Sequence, residues 1–322
     1  MDNKDILIYV EQEGGRVHPI SYELLGKGRE LADKTASNVS CALLGSGVSG
    51  AAQELIEYGA DTVYVFDDDS LAIFDSLRYK QNLVGLLREI QPSVVMFGAT
   101  LTGKALAPRV ATALEAGLTS NCTALEVQED GSLLQVRPAF TGNFLAHVKT
   151  RSKPIMVTVR YRALESAPKD ESRKGEIIQK DSEKVDSGVK VLGKGAMKEA
   201  SIAGADVVVC GGRGLKKAED LALVKQLADA LGGVVGATRP LVDDGWISKD
   251  HQVGFSGTIV KPKLYVGVGV SGSPQHLAGI RDSGTIVAIN SDPSVALFRI
   301  ADYAVVGDIY EVVPKMIELL NK

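Results

Sequence analysis

The chain has 322 residues, 45% hydrophobic, 24% charged and 5% aromatic, with 36 Lys and Arg against 40 Asp and Glu and a net charge of −4. That length fits about two domains of an ordinary globular protein. The slightly acidic balance and the scarcity of aromatic rings argue against a nucleic-acid binder, which would be basic and offer stacking platforms. Cys41, Cys122 and Cys210 lie far apart with no CxxC spacing. This argues against a metal or disulfide framework and fits a reducing compartment. The opening MDNKDILIYV is charged and runs straight into a strand-like segment. It lacks the apolar core of a secretory leader, and no apolar run reaches membrane-spanning length. The expectation is a cytoplasmic protein with no direct membrane insertion.

In chain order, ILIYV (Ile6–Val10) reads as a buried strand, and SYELLGKGRELADKT after it carries apolar residues at helical spacing. VSCALL, TVYVF and SVVMFGA are further strands. SGAAQELIEYG, LVGLLREI and GKALAPRVATALEAG are helices between and after them. β-branched runs separated by amphipathic helices predict a parallel α/β sheet. After Asn121 the pattern changes to hairpin-like strands, with turns at Asp130–Gly131 and around Gly142. From Glu165 to Lys190 the chain is dense in charge, Pro and Gly. That segment reads as a solvated connector with one edge strand at Ile177–Ile178, and a domain boundary falls at the Ser187–Gly188 step. The expected domains are therefore 1–187 and 188–322.

The second half restarts the rhythm. ADVVVC is a strand, and AEDLALVKQLADALG a helix with Leu221, Val224, Leu227, Ala228 and Leu231 on one stripe. GVVGATRPLVDDGW is a strand and loop, and KLYVGVGVSGSPQHLAGI is strand, glycine turn and helix. TIVAINSD and YAVVGD are strands, and IYEVVPKMIELLNK closes the chain as a helix. The pattern predicts an open, doubly wound parallel sheet whose ligand lies at the C-terminal ends of its strands.

Two stretches share the form G-x-G-x-x-G: GSGVSG (Gly45–Gly50) and GVGVSG (Gly267–Gly272). Each follows an apolar run and opens a helix-like segment, which is the form of a dinucleotide-binding turn. The first has Asp67, Asp68 and Asp69 after the next strand, where a ribose-binding acid would stand. It lacks other phosphate- or ring-binding groups nearby, and glycines at such a turn are also required for geometry alone. The second belongs to a set of five ligand-facing turns: Cys210–Gly214, Gly236–Pro240, Gln252–Gly257, Gly269–His276 and Ile289–Asp292. Each offers small residues for close approach and a polar head. Arg213 suits a phosphate oxygen pair. Ser271 and Ser273, with the backbone N–H groups of an opening helix, suit a pyrophosphate. A nucleotide cofactor is expected in this half.

GGRGLK (Gly211–Lys216), GATRPLVDDGW (Gly236–Trp246), the run Gln252–Ile280 and the run Thr285–Pro314 resemble the FAD domain of the electron transfer flavoprotein alpha subunit. Gly103–Glu126 is similar to the first-domain signature of that family. The resemblance implies an N-terminal α/β scaffold domain with added antiparallel strands and a flavodoxin- or Rossmann-like FAD-binding domain. It implies pairing with a beta subunit, and electron shuttling between a flavin dehydrogenase, such as an acyl-CoA dehydrogenase, and a quinone reductase or ferredoxin-type acceptor.

By motif, Arg213, Ser271, Gly272 and Ser273 would lie by the phosphates, and Thr238 and Arg239 by the isoalloxazine ring. Ser256, in the turn with Gln252 and Gly257, would bond near flavin N5 and O4. Gln275 and His276 form a QH pair with His276 near O2, and Asn290 and Asp308 would lie toward the ribose–adenine end. A reduced flavin carries negative charge along N1 and O2, so a cation or donor there, His276 or Arg239, would stabilise it. Phe255–Ser256 and Ser273–Pro274 depart from the family's common Gln-Thr and Ala-Ile. These departures bear on the flavin's potential and leave open an ordinary carrier or a member of an electron-bifurcating pair. The competing expectations are an NAD(P)-dependent oxidoreductase using Gly45–Gly50 and an adenine-nucleotide-binding module without a redox role.

Overall fold

The computed structural model describes residues 5–139, 144–193 and 202–321. These fall into two compact units, one running to Leu192 and the other beginning at Gly193.

The first unit contains, in order, β1 (Ile6–Val10), β2 (Gln12–Glu13), β3 (Arg16–Val17), α1 (Pro19–Thr35), β4 (Val39–Gly45), α2 (Ala52–Glu57), β5 (Thr62–Asp67), α3 (Ser76–Ile90) and β6 (Val94–Gly98). It continues with α4 (Leu101–Ala113), β7 (Leu118–Cys122), β8 (Ala124–Val127), β9 (Leu133–Ala139), β10 (Phe144–Lys149), β11 (Ile155–Val159) and β12 (Glu176–Gln179). Seven strands form a wholly parallel sheet in the order β12-β5-β4-β1-β6-β11-β7. Its central strands β4, β1, β6 and β11 are near-continuous apolar runs because both faces are covered. Ile6, Ile8 and Val10 pack on one face against Leu24 and Leu31 of α1, and Leu7 and Tyr9 on the other against Leu83 of α3 and Leu106 of α4. The hairpin expected at Asp130–Gly131 joins β8 to β9, antiparallel, with Gly131 at φ +75°. The turn expected around Gly142 lies outside the described residues. The edge strand expected at Ile177–Ile178 is β12, paired to β5.

The connector around that edge strand is less free than its composition suggests. Glu23 of α1 accepts the N–H of Arg162 at 3.0 Å and of Leu164 at 3.3 Å. The buried Asn82 side chain accepts the N–H of Glu183 at 2.7 Å and donates to its carbonyl at 3.3 Å. Arg78 donates to the carbonyl of Val185 at 3.2 Å. Charge-rich backbone is thus tied down by polar side chains placed along α1 and α3, a pairing that hydropathy does not report.

The second unit holds β13 (Val207–Gly211), α5 (Leu221–Ala230), β14 (Val234–Ala237), α6 (Arg239–Asp243), β15 (Leu264–Val268), α7 (Pro274–Leu277), β16 (Thr285–Asn290), β17 (Tyr303–Val306) and α8 (Ile309–Leu320). Its five strands are all parallel, in the order β14-β13-β15-β16-β17. Counted along the unit this is 2-1-3-4-5, and the order reverses between β13 and β15. Val224, Leu227 and Ala228 of the expected stripe on α5 are buried with Val209 and Val266. Burying Val224 and Leu227 stabilises the unit by roughly 1.5–3 kcal/mol each. The opposite face buries Val208, Cys210, Tyr265 and Ile286 against Val253, Ile280 and Leu297. The helix expected after Gly272 is a single turn, α7. No helix among the described residues is long and apolar enough to cross a membrane.

Candidate cofactor-binding site

In open parallel sheets a crevice opens at the C-terminal ends of the strands where their order reverses, because the two flanking connections leave toward opposite faces. In the second unit that point lies between β13 and β15, so the loops Gly211–Gly214 and Val268–Gly272 flank it. They interlock backbone to backbone. Gly212 donates to the Val268 carbonyl and Gly214 to the Gly269 carbonyl, both at 2.9 Å. A Cβ on Gly212 would stand 2.5 Å from the Gly269 oxygen, and one on Gly214 2.6 Å from the Gly269 Cα. Gly272, at φ +83°, would bring a Cβ within 2.5 Å of the Leu297 backbone nitrogen. These glycines are small because the loops touch one another. That contact between the loops requires their small size before any ligand is considered.

The remaining predicted residues gather around this edge. Thr238 follows β14, donates its N–H to the Gly211 carbonyl at 2.9 Å, and caps α6, where Pro240 suits the first turn. Its hydroxyl oxygen is buried and has no hydrogen-bond partner among the described residues. A buried hydroxyl without a partner is costly in a native structure and marks a place for a ligand atom or water. Arg239 is exposed, with Nε on Asp243 at 3.1 Å. Arg213 is exposed on the β13 loop.

The Gln252–Gly257 turn does not follow a strand. It leaves a 3₁₀ turn (Lys249–His251) and adds one parallel bridge, Gln252 to Ala237, beside the end of β14. The buried Gln252 amide donates to Ser256 Oγ at 2.9 Å, so the exposed Ser256 keeps its O–H free to donate elsewhere. Ser271, Ser273 and Gln275 are exposed, and no hydrogen bond among the described residues reaches the N–H of Ser271, Gly272 or Ser273. Asn290 and Asp308 already hold structural bonds. The Asn290 amide donates to the Val270 carbonyl at 3.1 Å, and Asp308 caps α8 through the Tyr310 N–H at 2.8 Å.

His276 requires a correction. It was expected to face a ligand as a donor or cation, but its ring is 4% exposed and turned into the sheet. Nδ1 lies 3.1 Å from the Val253 carbonyl and Nε2 2.7 Å from the Tyr265 hydroxyl. Burial pushes its pKa down to about 4, opposed by the bond to Val253, so it is a neutral imidazole with both nitrogens engaged. Arg239 and Arg213 remain as the fixed positive charges of this edge. Tyr265 and the Val253 carbonyl were not anticipated. The only sequence signal was a tyrosine inside an otherwise apolar strand, whose hydroxyl must find a partner when buried.

The first glycine turn is differently occupied. Asp67, at the end of β5, accepts the N–H of Gly47 at 2.6 Å and the N–H and hydroxyl of Ser49 at 3.0 and 2.6 Å. The Ser49 hydroxyl, followed by these N–H groups, holds the carboxyl below the usual aspartate range. The donors that would cradle a phosphate are satisfied by the chain's own carboxylate. The turn also lies off the reversal point of its sheet, which falls between β1 and β6. Both facts weigh against a dinucleotide at Gly45–Gly50.

The second unit is an open, doubly wound parallel α/β domain with glycine-rich loops at its switch point. Residues 6–185 match the model of the electron transfer flavoprotein domain, and residues 201–281 that of the electron transfer flavoprotein FAD-binding domain. The chain is 44% identical to the electron transfer flavoprotein subunit alpha of Thermoanaerobacterium thermosaccharolyticum, over 100% of this chain and 99% of the relative. It is 38% identical to the lactate dehydrogenase (NAD(+),ferredoxin) subunit LctC of Acetobacterium woodii, over 99% of this chain and 77% of the relative. It is 38% identical to protein FixB of Rhizobium meliloti, over 100% of this chain and 94% of the relative. The chain belongs to the electron transfer flavoprotein family, on the side of its alpha subunits.

Proposed function

We propose that this chain is the FAD-carrying alpha subunit of a heterodimeric electron transfer flavoprotein. The observation that carries the proposal is the chemistry at the β13–β15 edge. Three neighbouring N–H groups, Ser271 to Ser273, and a buried Thr238 hydroxyl lack partners among the described residues, in a segment similar to an FAD-binding domain. Unpaired N–H groups suit a pyrophosphate, with the exposed Arg213 beside them to neutralise it. Thr238, Arg239 and Ser256 would bind and orient the ring, with Gln252 and Gly257 shaping the Ser256 turn. Ser271, Gly272, Ser273 and Gln275 would line the phosphate side, and Asn290 and Asp308 the far end.

When bound, the flavin supplies one- and two-electron redox chemistry. The protein's part is to hold it, to orient donors toward N5 and O4, and to keep a guanidinium charge near its reducible edge. In this reading residues 1–187 are the scaffold and beta-subunit interface, and 188–322 the cofactor domain. The electrons would pass from a flavin dehydrogenase, such as an acyl-CoA dehydrogenase, to a quinone reductase or a ferredoxin-type acceptor. The Acetobacterium relative, a subunit of a lactate dehydrogenase named for NAD(+) and ferredoxin, supports the latter acceptor, and an electron-bifurcating assembly is the form such a pairing would take.

The test is co-expression with the beta subunit and release of the flavin from the purified complex. One FAD assigned to this chain is expected, and a complex without flavin absorbance overturns the proposal. A second FAD per heterodimer would place the complex among electron-bifurcating forms.

A further inference from the structure

The buried face of the second sheet contains a run of polar side chains that the flavin reading does not use. Tyr265 is fully buried at the centre of β15, and Cys210, also fully buried, lies on the neighbouring β13. The Cys210 thiol borders the Tyr265 hydroxyl and donates its S–H to the Gly211 carbonyl, 3.8 Å away. The hydroxyl lies 2.7 Å from His276 Nε2, and His276 Nδ1 lies 3.1 Å from the Val253 carbonyl.

The directions of these bonds follow from the far end. A carbonyl can only accept, so Nδ1 carries the proton. The neutral imidazole then presents a lone pair at Nε2, and the Tyr265 O–H must donate to it. Burial favours the uncharged form of every member, pushing the Cys210 thiol up to about 12 and raising the Tyr265 phenol well above its ordinary value.

The carbonyl at the end of this chain belongs to the turn that presents Ser256. Val253 is held on one side through its N–H to the Ala237 carbonyl at 2.9 Å, and on the other by His276. Phe255 donates to the Gln275 carbonyl at 2.8 Å, and Thr258 closes the turn onto Gln252 at 2.7 Å. The turn itself is outside any strand, so these few bonds decide where it stands.

We propose that Tyr265 is a positioning residue that acts through His276. Its buried hydroxyl fixes the imidazole as the Nδ1–H tautomer, and that N–H holds the Val253 carbonyl and so sets where Ser256 presents its hydroxyl. The clamp is a property of the protein alone. Its consequence for a flavin rests on the function proposed above.

The experiment uses the full chain in its purified complex, with histidines labelled with ¹⁵N. The chain has four histidines, and the His276 signals are assigned by their loss in His276→Asn. In the wild type His276 shows a protonated Nδ1 and an Nε2 accepting a hydrogen bond. In Tyr265→Phe the Nε2 signal moves toward that of an unbonded ring nitrogen, and the amides of Phe255 to Thr258 exchange about tenfold faster. His276→Asn, which can still donate an N–H to Val253, keeps the turn protected, whereas His276→Leu, which cannot, exposes it. An unchanged imidazole signal and unchanged exchange in Tyr265→Phe overturn the proposal. If Tyr265→Phe does not fold, equal protection in the Asn and Leu variants overturns it, and loss confined to Leu supports it. All of these readouts stand whether or not the complex holds flavin, so failure of the clamp and failure of the flavin assignment are separable.

Discussion

The two G-x-G-x-x-G turns differ in no property that the pattern itself can express, yet their surroundings are opposite. Gly45–Gly50 leaves β4, whose neighbours β1 and β5 continue the winding in one direction. Gly267–Gly272 leaves β15 where the strand order reverses. At the first turn an acid from the next strand fills the N–H cradle, while at the second no acidic side chain among the described residues is bonded to the corresponding N–H groups. The lesson is that a glycine fingerprint reports a tight strand–helix turn. Whether that turn binds an anion depends on the sheet position and on what the chain has already placed there.

The sharpest way to break this contrast is Gly272→Ala. The added Cβ would meet backbone at Leu297 in a left-handed conformation. A loss of about 2–4 kcal/mol in the second unit, with loss of bound flavin, is expected. Denaturant melts and flavin-to-protein absorbance ratios check it, and full flavin occupancy would refute the placement of the site.

Thr238→Val sharpens the contrast from the ligand side. Its hydroxyl oxygen has no protein partner to lose, so stability without flavin should change by less than about 0.5 kcal/mol. Flavin affinity should fall roughly tenfold, read by fluorescence titration. A variant equally destabilised with and without flavin would show that the hydroxyl serves the fold.

Gly47→Ala is the matched control. A Cβ there meets nothing within 4 Å, and only its φ of +67° opposes the change. A cost of about 1–2 kcal/mol in the first unit and unchanged flavin content are expected. Any flavin loss would return the first turn to consideration.

The smallest effect is that of Asp67→Ala. Because the folded state lowers this carboxyl's pKa, its contribution is fully present above the ordinary aspartate value of 3.8 and is lost progressively as pH falls from there through the lowered folded value. The group is exposed, so screening limits the contribution to about 1 kcal/mol. Unfolding midpoints should differ between wild type and variant more at neutral pH than near pH 3, and an equal difference at both would overturn this assignment.

Much of the architecture was legible in the sequence for a simple reason. Parallel strands covered on both faces are uninterrupted apolar runs, and ILIYV, VSCALL and ADVVVC could be little else. The edge strand at Ile177–Ile178 was visible as a short apolar pair within charge. The site was legible only as a set of turns. The smallness of Gly212 and Gly214 was visible, but its cause, contact with Gly269, depends on a segment more than fifty residues away.

The sequence alone determined the fold class, the two-part organisation and the family, because hydrophobic period and motif order are local and additive along the chain. The tertiary structure decided what those motifs face. It placed the reversal of strand order at one glycine turn and off the other, and it brought Asp67 into the first. It also rotated His276 from the expected ligand edge into a bonded, dry interior. Hydrogen bonds of this kind join residues remote in sequence, and each is directional, so no composition, spacing or propensity carries them.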